Sequence, residues 1–248
     1  MRFMAILQSP GDARRDRGLV TPVWHTIVFL FVLLGLAFLQ GRQQPKLGSV
    51  PMASRLALYA AMIAFELVLF LYVWLFGLKL TGTRIRDVMG GKWSSLAEVA
   101  RDMGVALLFW LVVASVLLTL EKILGENTTG LGAVKTLLPR GPMEMAVWIV
   151  LCTTAGFCEE FIFRGYLQRQ FLALTGRVEL AVVFQAIVFG IAHMYQGVKG
   201  VITISIYGAM FGILAVMRKS LRPGMIQHAG QDIFSGIVGG ILARRHYF

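Results

Sequence analysis

Seven ionisable side chains stand inside stretches otherwise built of apolar residues: His25, Glu66, Glu159, Glu160, His193, His228 and Asp232. Charged groups at membrane depth cost at least about 2.5–3.5 kcal/mol each on insertion scales, so they persist where they have partners and a task. In Cys158-Glu159-Glu160-Phe161-Ile162-Phe163-Arg164 the two adjacent carboxylates diverge by about 100° around a helix. Glu160 and Arg164, at i,i+4, share a face and can pair, which leaves Glu159 the freer acid. In a low dielectric beside a second acid, such a carboxylate is a stronger base toward water. The same segment also reads as an interfacial salt bridge capping its span.

Phe189-Gly-Ile-Ala-His193 sets an aromatic ring and an imidazole on one helical face, with small residues where another helix can approach. A core histidine bonded to a carbonyl fits that pattern equally well. His228-Ala-Gly-Gln-Asp232 aligns an imidazole and a carboxylate at i,i+4, where Asp232 can hold the His tautomer, join it on a metal, or simply neutralise it. Glu66, a lone acid, and His25, beside Trp24, read as structural. Taken together, the carboxylate pair with its Arg, one His, and a second His with a carboxylate supply a general base for water. They also supply donors or a metal to hold a developing oxyanion, and these are the needs of amide hydrolysis.

The elements that must carry these groups follow from composition. Of 248 residues, 57% are hydrophobic and 15% charged, with mean hydropathy +0.71; soluble domains carry about 25% charged residues. Lipid is the natural solvent, and disorder is excluded by the same figures. Seven stretches approach the roughly 20 apolar residues of a spanning helix: 22–40, 56–78, 102–120, 143–163, 179–196, 200–217 and 224–243. Six to eight spans fit, in one all-α polytopic transmembrane bundle with short connections punctuated by Gly or Pro. The first stretch follows a basic segment with Arg2, Arg14, Arg15 and Arg17 and has no A-x-A-like site behind it, so an uncleaved span is expected. The net charge of +11 sits between the apolar stretches, where it suits lipid headgroups and orientation better than nucleic acid. With the N-terminus inside, 15 of the 24 Lys and Arg face the cytoplasm and nine, including Arg244 and Arg245, lie outside. Cys152 and Cys158 form no metal or disulfide pattern and read as small buried hydrophobes. G-x-x-x-G pairs at Gly208/Gly212 and Gly236/Gly240 suggest close helix approach.

The three motifs, in this order on late apolar stretches, resemble the CAAX-processing and bacteriocin-processing (CPBP, or Abi) family of intramembrane proteases. That family's pattern is E-E-x-x-x-R, F-x-x-x-H and H-x-x-x-N or D. The resemblance covers residues 145–243 and implies a helical bundle around an intramembrane polar cavity, with endopeptidase activity on membrane-associated peptides or proteins, prenylated CAAX-like or leader-bearing. It implies that Glu159 and His193 activate water, that His228 and Asp232 stabilise the oxyanion, and that Arg164 holds Glu160. Glu159, His193, His228 and Asp232 are also the candidate ligands if Zn is present. Asp232 stands where the eukaryotic prenyl-protein proteases have Asn, and an ionised Asp cannot donate to an oxyanion. H-E-x-x-H is missing, which excludes the zincin arrangement. The implied organisation is a basic cytoplasmic tail (1–21), N-terminal transmembrane helices (22–142), a catalytic core (143–243) and a C-terminal tail (244–248), in a bacterial-type cell membrane.

Two other readings use the same buried polar groups: a non-catalytic immunity or scaffold protein of this fold, and a proton-coupled transporter. On straight helices, moreover, the motifs do not meet. Glu159 lies roughly 24 Å from the start of its span, near the cytoplasmic end, whereas His193 lies about 20 Å from that side. A tilted fourth helix running through Leu172, or a fifth span beginning deeper than Glu179, closes the gap.

Overall fold

A backbone in lipid must close its hydrogen bonds within each segment, and the ordered elements of this chain are all helices among the described residues. The computed structural model describes residues 18–42 and 52–244. The tail arginines Arg2, Arg14, Arg15, Arg17 and Arg245 lie outside them. The helices are α1 (Val23–Arg42), α2 (Met52–Phe76), α3 (Ile85–Met89), α4 (Leu96–Leu124), α5 (Thr128–Leu137), α6 (Pro142–Glu159), α7 (Gln168–Thr175), α8 (Val178–Ala192), α9 (Gly197–Arg218) and α10 (Arg222–Arg244).

Among the described residues, five helical runs are long and apolar enough to cross a membrane: Val23–Arg42, Ala53–Thr81, Leu96–Leu124, Pro142–Thr175 and Met194–Arg218. The fifth and seventh sequence stretches differ. Helix α8 has 15 residues, roughly 22 Å against the ~30 Å of a hydrocarbon core. Helix α10 is long enough at 23 residues, but Gln227, His228, Gln231 and Asp232 dilute its apolar character. The run Pro142–Thr175 is the central one, since half of its most apolar window is buried, against 11% for α2 and α4. Around it a core forms from Phe29, Leu33, Phe161, Tyr166, Phe189 and Phe211 with their neighbours.

The central run is continuous because a π-helical segment, Glu160–Leu167, joins α6 to α7. It therefore passes Leu172, which is the first of the two ways of bringing the motifs together. The second does not occur, since α8 begins at Val178. Gly176, in the left-handed region at φ 68°, ends α7 and reverses the chain. Glu159 and His193 stand seventeen residues to either side of that glycine. Two antiparallel helical limbs with nearly the same rise per residue bring them level.

Two buried ion-pair clusters tie α4 and α2 to the core. Buried Asp102 on α4 accepts a hydrogen bond from Trp93 Nε1 (2.8 Å) and faces Arg222 Nε (3.2 Å) and Arg218 Nη2 (3.6 Å) at the α9–α10 turn. Elsewhere Arg55 on α2 pairs with Glu144 on α6 at 2.7 Å, both buried. Small residues set the helix separations: Gly208 lies against Phe189 and Ala186, and Gly236 against Trp148. Gly156 carries α6 onto α10, where a Cβ would stand 2.8 Å from Ala229 N and 2.9 Å from Ala229 Cβ.

That contact generates a prediction. Gly156→Ala overpacks the α6–α10 seam and is expected to cost about 1–3 kcal/mol, read as a lowered midpoint of thermal unfolding in detergent. Gly35→Ala, on α1 with open space around it, is the control and leaves the midpoint unchanged or raises it.

Candidate active site

The site is assembled from the middle of the central run outward. Every residue of Glu160–Leu167 is buried. An α-helix turning to π-winding at a functional position is a recurrent device, and here the segment carries an acid and a guanidinium that meet no solvent. Arg164 Nη1 donates to Glu160 Oε1 at 2.9 Å, and Nη2 donates to the Gly208 carbonyl on α9 at 3.2 Å. The guanidinium lies over the Phe189 ring at 4.3 Å and the Phe211 ring at 5.0 Å. The i,i+4 pair expected from spacing is thus formed, and two further helices are built onto it.

His228 of α10 enters between the two acids. Its Nδ1 donates to Glu160 Oε1 at 3.1 Å, while Nε2 stands 3.6 Å from Glu159 Oε2 and 3.6 Å from Asp232 Oδ2. The neighbouring carboxylates therefore diverge yet address one imidazole, each from its own side. Their environments differ: the Glu160 side chain is 1% exposed, that of Glu159 14% and that of Asp232 39%. One oxygen of Glu159 is buried without a hydrogen-bond partner.

His193 ends α8, and its Nδ1 donates to the Phe189 carbonyl at 2.9 Å. A carbonyl only accepts, so the proton sits on Nδ1, and in the neutral ring Nε2 keeps its lone pair. The Phe189 ring stands edge-on to His193, their centroids 4.8 Å apart. Phe189 thus touches Arg164 with one part of the ring and His193 with another.

Glu159, His193, His228 and Asp232 line one cavity of about 360 Å³, together with Glu66 and Tyr207. A second cavity of about 370 Å³, walled by Leu33 and Leu36 of α1 and Leu58 and Phe65 of α2, shares Glu66, Glu159, His193 and Tyr195 with the first. Glu160 and Arg164 line neither; they form the support behind the wall. The expected polar cavity is present, and four of the six candidate residues face it.

Of the two groups read as structural, Glu66 changes and His25 does not. Glu66 is no isolated acid: its carboxyl lies within hydrogen-bonding reach of Glu159 and it lines both cavities. Its place in an apolar helix was the signal that could have marked it. His25 keeps its structural part. It is fully buried, hydrogen-bonded with the Tyr166 hydroxyl at 3.1 Å and stacked on Tyr72. Cys152 and Cys158 are free and buried, as small hydrophobes are.

The candidate zinc ligands do not make a set. Two pairs meet at His228 Nε2, but among the described residues no three or more His, Cys, Asp or Glu are grouped to hold a metal ion. The arrangement does offer an acid and an imidazole at the edge of a cavity, with a buried ion pair outside its wall.

Residues 141–234 match the family model of type II CAAX prenyl endopeptidase Rce1-like proteins. The matched segment runs from the start of α6 into α10 and holds all six candidate residues. No curated protein and no solved structure matches the chain.

Removing one member of the buried pair leaves the other uncompensated. Arg164→Met is expected to destabilise the protein by about 3–5 kcal/mol. Glu160→Gln combined with Arg164→Met recovers most of that loss, as two neutral groups need no counter-charge. Thermal unfolding of the two variants in the same detergent checks both outcomes.

Proposed function

From an Rce1-like segment at residues 141–234, we propose that this membrane protein is an endopeptidase that hydrolyses a peptide bond of a membrane-associated substrate with water activated by Glu159 and His193. The observation that carries the reading is their shared wall. Both residues border both cavities, the Phe189 carbonyl holds His193, and the Glu160–Arg164 pair follows Glu159 on the same helical run. Water in the polar cavity gives a proton to Glu159 as its oxygen attacks the carbonyl carbon, and His193 Nε2 accepts the water's other hydrogen bond. The carbonyl oxygen becomes an oxyanion in the tetrahedral intermediate. Collapse breaks the C–N bond, and the proton held by Glu159 passes to the leaving amine. With both ring nitrogens protonated among Glu160, Glu159 and Asp232, His228 can donate from Nε2. Side chains and water suffice for these steps.

The second cavity favours one substrate class. Its α1 and α2 walls are largely apolar, and it joins the catalytic wall at Glu66, Glu159 and His193. A substrate with a lipid-like or strongly apolar segment next to the scissile bond fits this pair of compartments, as a prenylated C-terminal peptide does. The orientation follows from the connections. Arg169 donates to the Asp87 and Val88 carbonyls, and Leu221 N to the Met89 carbonyl. These bonds gather the α2–α4 connection, the end of the central run and the α9–α10 turn at one end of the bundle. Those segments are rich in Lys and Arg, so that end is read as cytoplasmic.

Glu159→Gln and His193→Ala are each expected to lower cleavage of a prenylated CAAX-type reporter peptide by about 10²–10⁴, with unfolding midpoints near that of the native protein. Full cleavage by Glu159→Gln would sink the proposal. Normal protection or scaffolding in cells by the same variant would favour the non-catalytic reading. In a separate measurement, chelation of the purified native protein is expected to leave its rate unchanged. Loss on chelation with recovery on adding Zn²⁺ would replace the side-chain mechanism by a metal one.

A further inference from the structure

The polar cavity has more acid on its wall than an oxyanion tolerates. Glu66, Glu159 and Asp232 all border it, and hydrolysis builds negative charge on the substrate carbonyl in the same space. Donors are needed there, and Asp232 supplies none when ionised. His228 has one nitrogen committed to Glu160. Trp148 Nε1, also on the wall, is committed to the Asp232 carbonyl at 3.1 Å.

Tyr207 of α9 is placed differently. It borders the cavity, its residue surface is 7% exposed, and its hydroxyl is buried with no hydrogen-bond partner. Its ring is held edge-on to His228, centroids 5.9 Å apart, and tilted against Phe211 at 4.6 Å. The backbone beside it is held as well, since the Gly208 carbonyl accepts from Arg164 Nη2 at 3.2 Å and from Gln185 Nε2 at 2.9 Å. A phenol that is desolvated, immobile and unbonded incurs the full desolvation cost of its hydroxyl without return. That cost is recovered when an acceptor arrives in the cavity.

We propose that Tyr207 is a catalytic residue whose O–H donates a hydrogen bond to the scissile carbonyl oxygen as it becomes an oxyanion, beside His228. It supplies the donor that Asp232 cannot. The assignment rests on the endopeptidase reading for its chemistry, but its test separates the two.

Tyr207→Phe deletes only the hydroxyl. The expected result is a fall in kcat of about 10²–10³, the range for losing one oxyanion donor, with KM within about twofold. A tyrosine kept for structure loses stability on this change, whereas a hydroxyl without a partner is dispensable to the fold. The unfolding midpoint of Tyr207→Phe is therefore expected to equal or exceed the native one. The second arm needs no turnover: a phosphinate peptide mimicking the tetrahedral intermediate is expected to bind Tyr207→Phe at least tenfold more weakly than the native protein, while the matching uncleaved amide peptide binds both alike. Native kcat in Tyr207→Phe, or equal phosphinate affinity in both proteins, overturns the assignment. If Glu159→Gln cleaves like the native protein, the general-base reading fails, and the phosphinate comparison still decides Tyr207.

Discussion

A guanidinium enclosed in an apolar bundle is the constraint on which the rest of this structure depends. Removing a charge from water costs several kcal/mol even after relaxation, and the cost is met only by close pairing and full hydrogen bonding. Arg164 meets it with Glu160 one turn back, the Gly208 carbonyl on α9, and the faces of Phe189 and Phe211. Each of these partners is itself part of the site. Glu160 holds His228, Phe189 supplies the carbonyl that sets the His193 tautomer, and Gly208 neighbours Tyr207. Satisfying one buried charge therefore positions side chains on three other helices.

The two adjacent glutamates divide the work by burial. Glu160 is withdrawn behind the cavity wall, and its Oε1 accepts from both Arg164 and His228, so it is a support. Glu159, with its side chain 14% exposed and a place on both cavities, is the more accessible acid. A single sequence pair thus gives one enclosed and one cavity-facing carboxylate because successive helical residues point in different directions. The bilayer sharpens the contrast, since a side chain that misses the cavity has only protein partners to turn to.

The outer helices do a different task. Helices α2 and α4 present most of their surface outward, with Leu107, Leu108 and Leu118 of α4 exposed, as lipid requires. They are tied to the core at few points, by Asp102 with its arginines and by Arg55 with Glu144. Each pair holds its helix near the N-terminal end, and the middle of α2 walls the apolar cavity.

What the sequence by itself determined is whatever depends on spacing within one helix or on bulk composition. Lipid as solvent, an all-helical bundle, the Glu160–Arg164 pair and the facing of His228 toward Asp232 are all of this kind, because i,i+4 neighbours meet wherever the helix is placed. The number of long apolar helices was less legible, as α8 and α10 trade apolar residues and length for the polar groups they carry. Helix packing, by contrast, sets Glu159, His193 and Glu66 on the same cavity walls and the Tyr207 ring against His228 with its hydroxyl unbonded. These depend on how far each helix slides and tilts against the next, through the reversal at Gly176, the π-wound segment and the close contact at Gly156. Contacts between helices are set by packing heights and crossing angles, and no local pattern of residues encodes those.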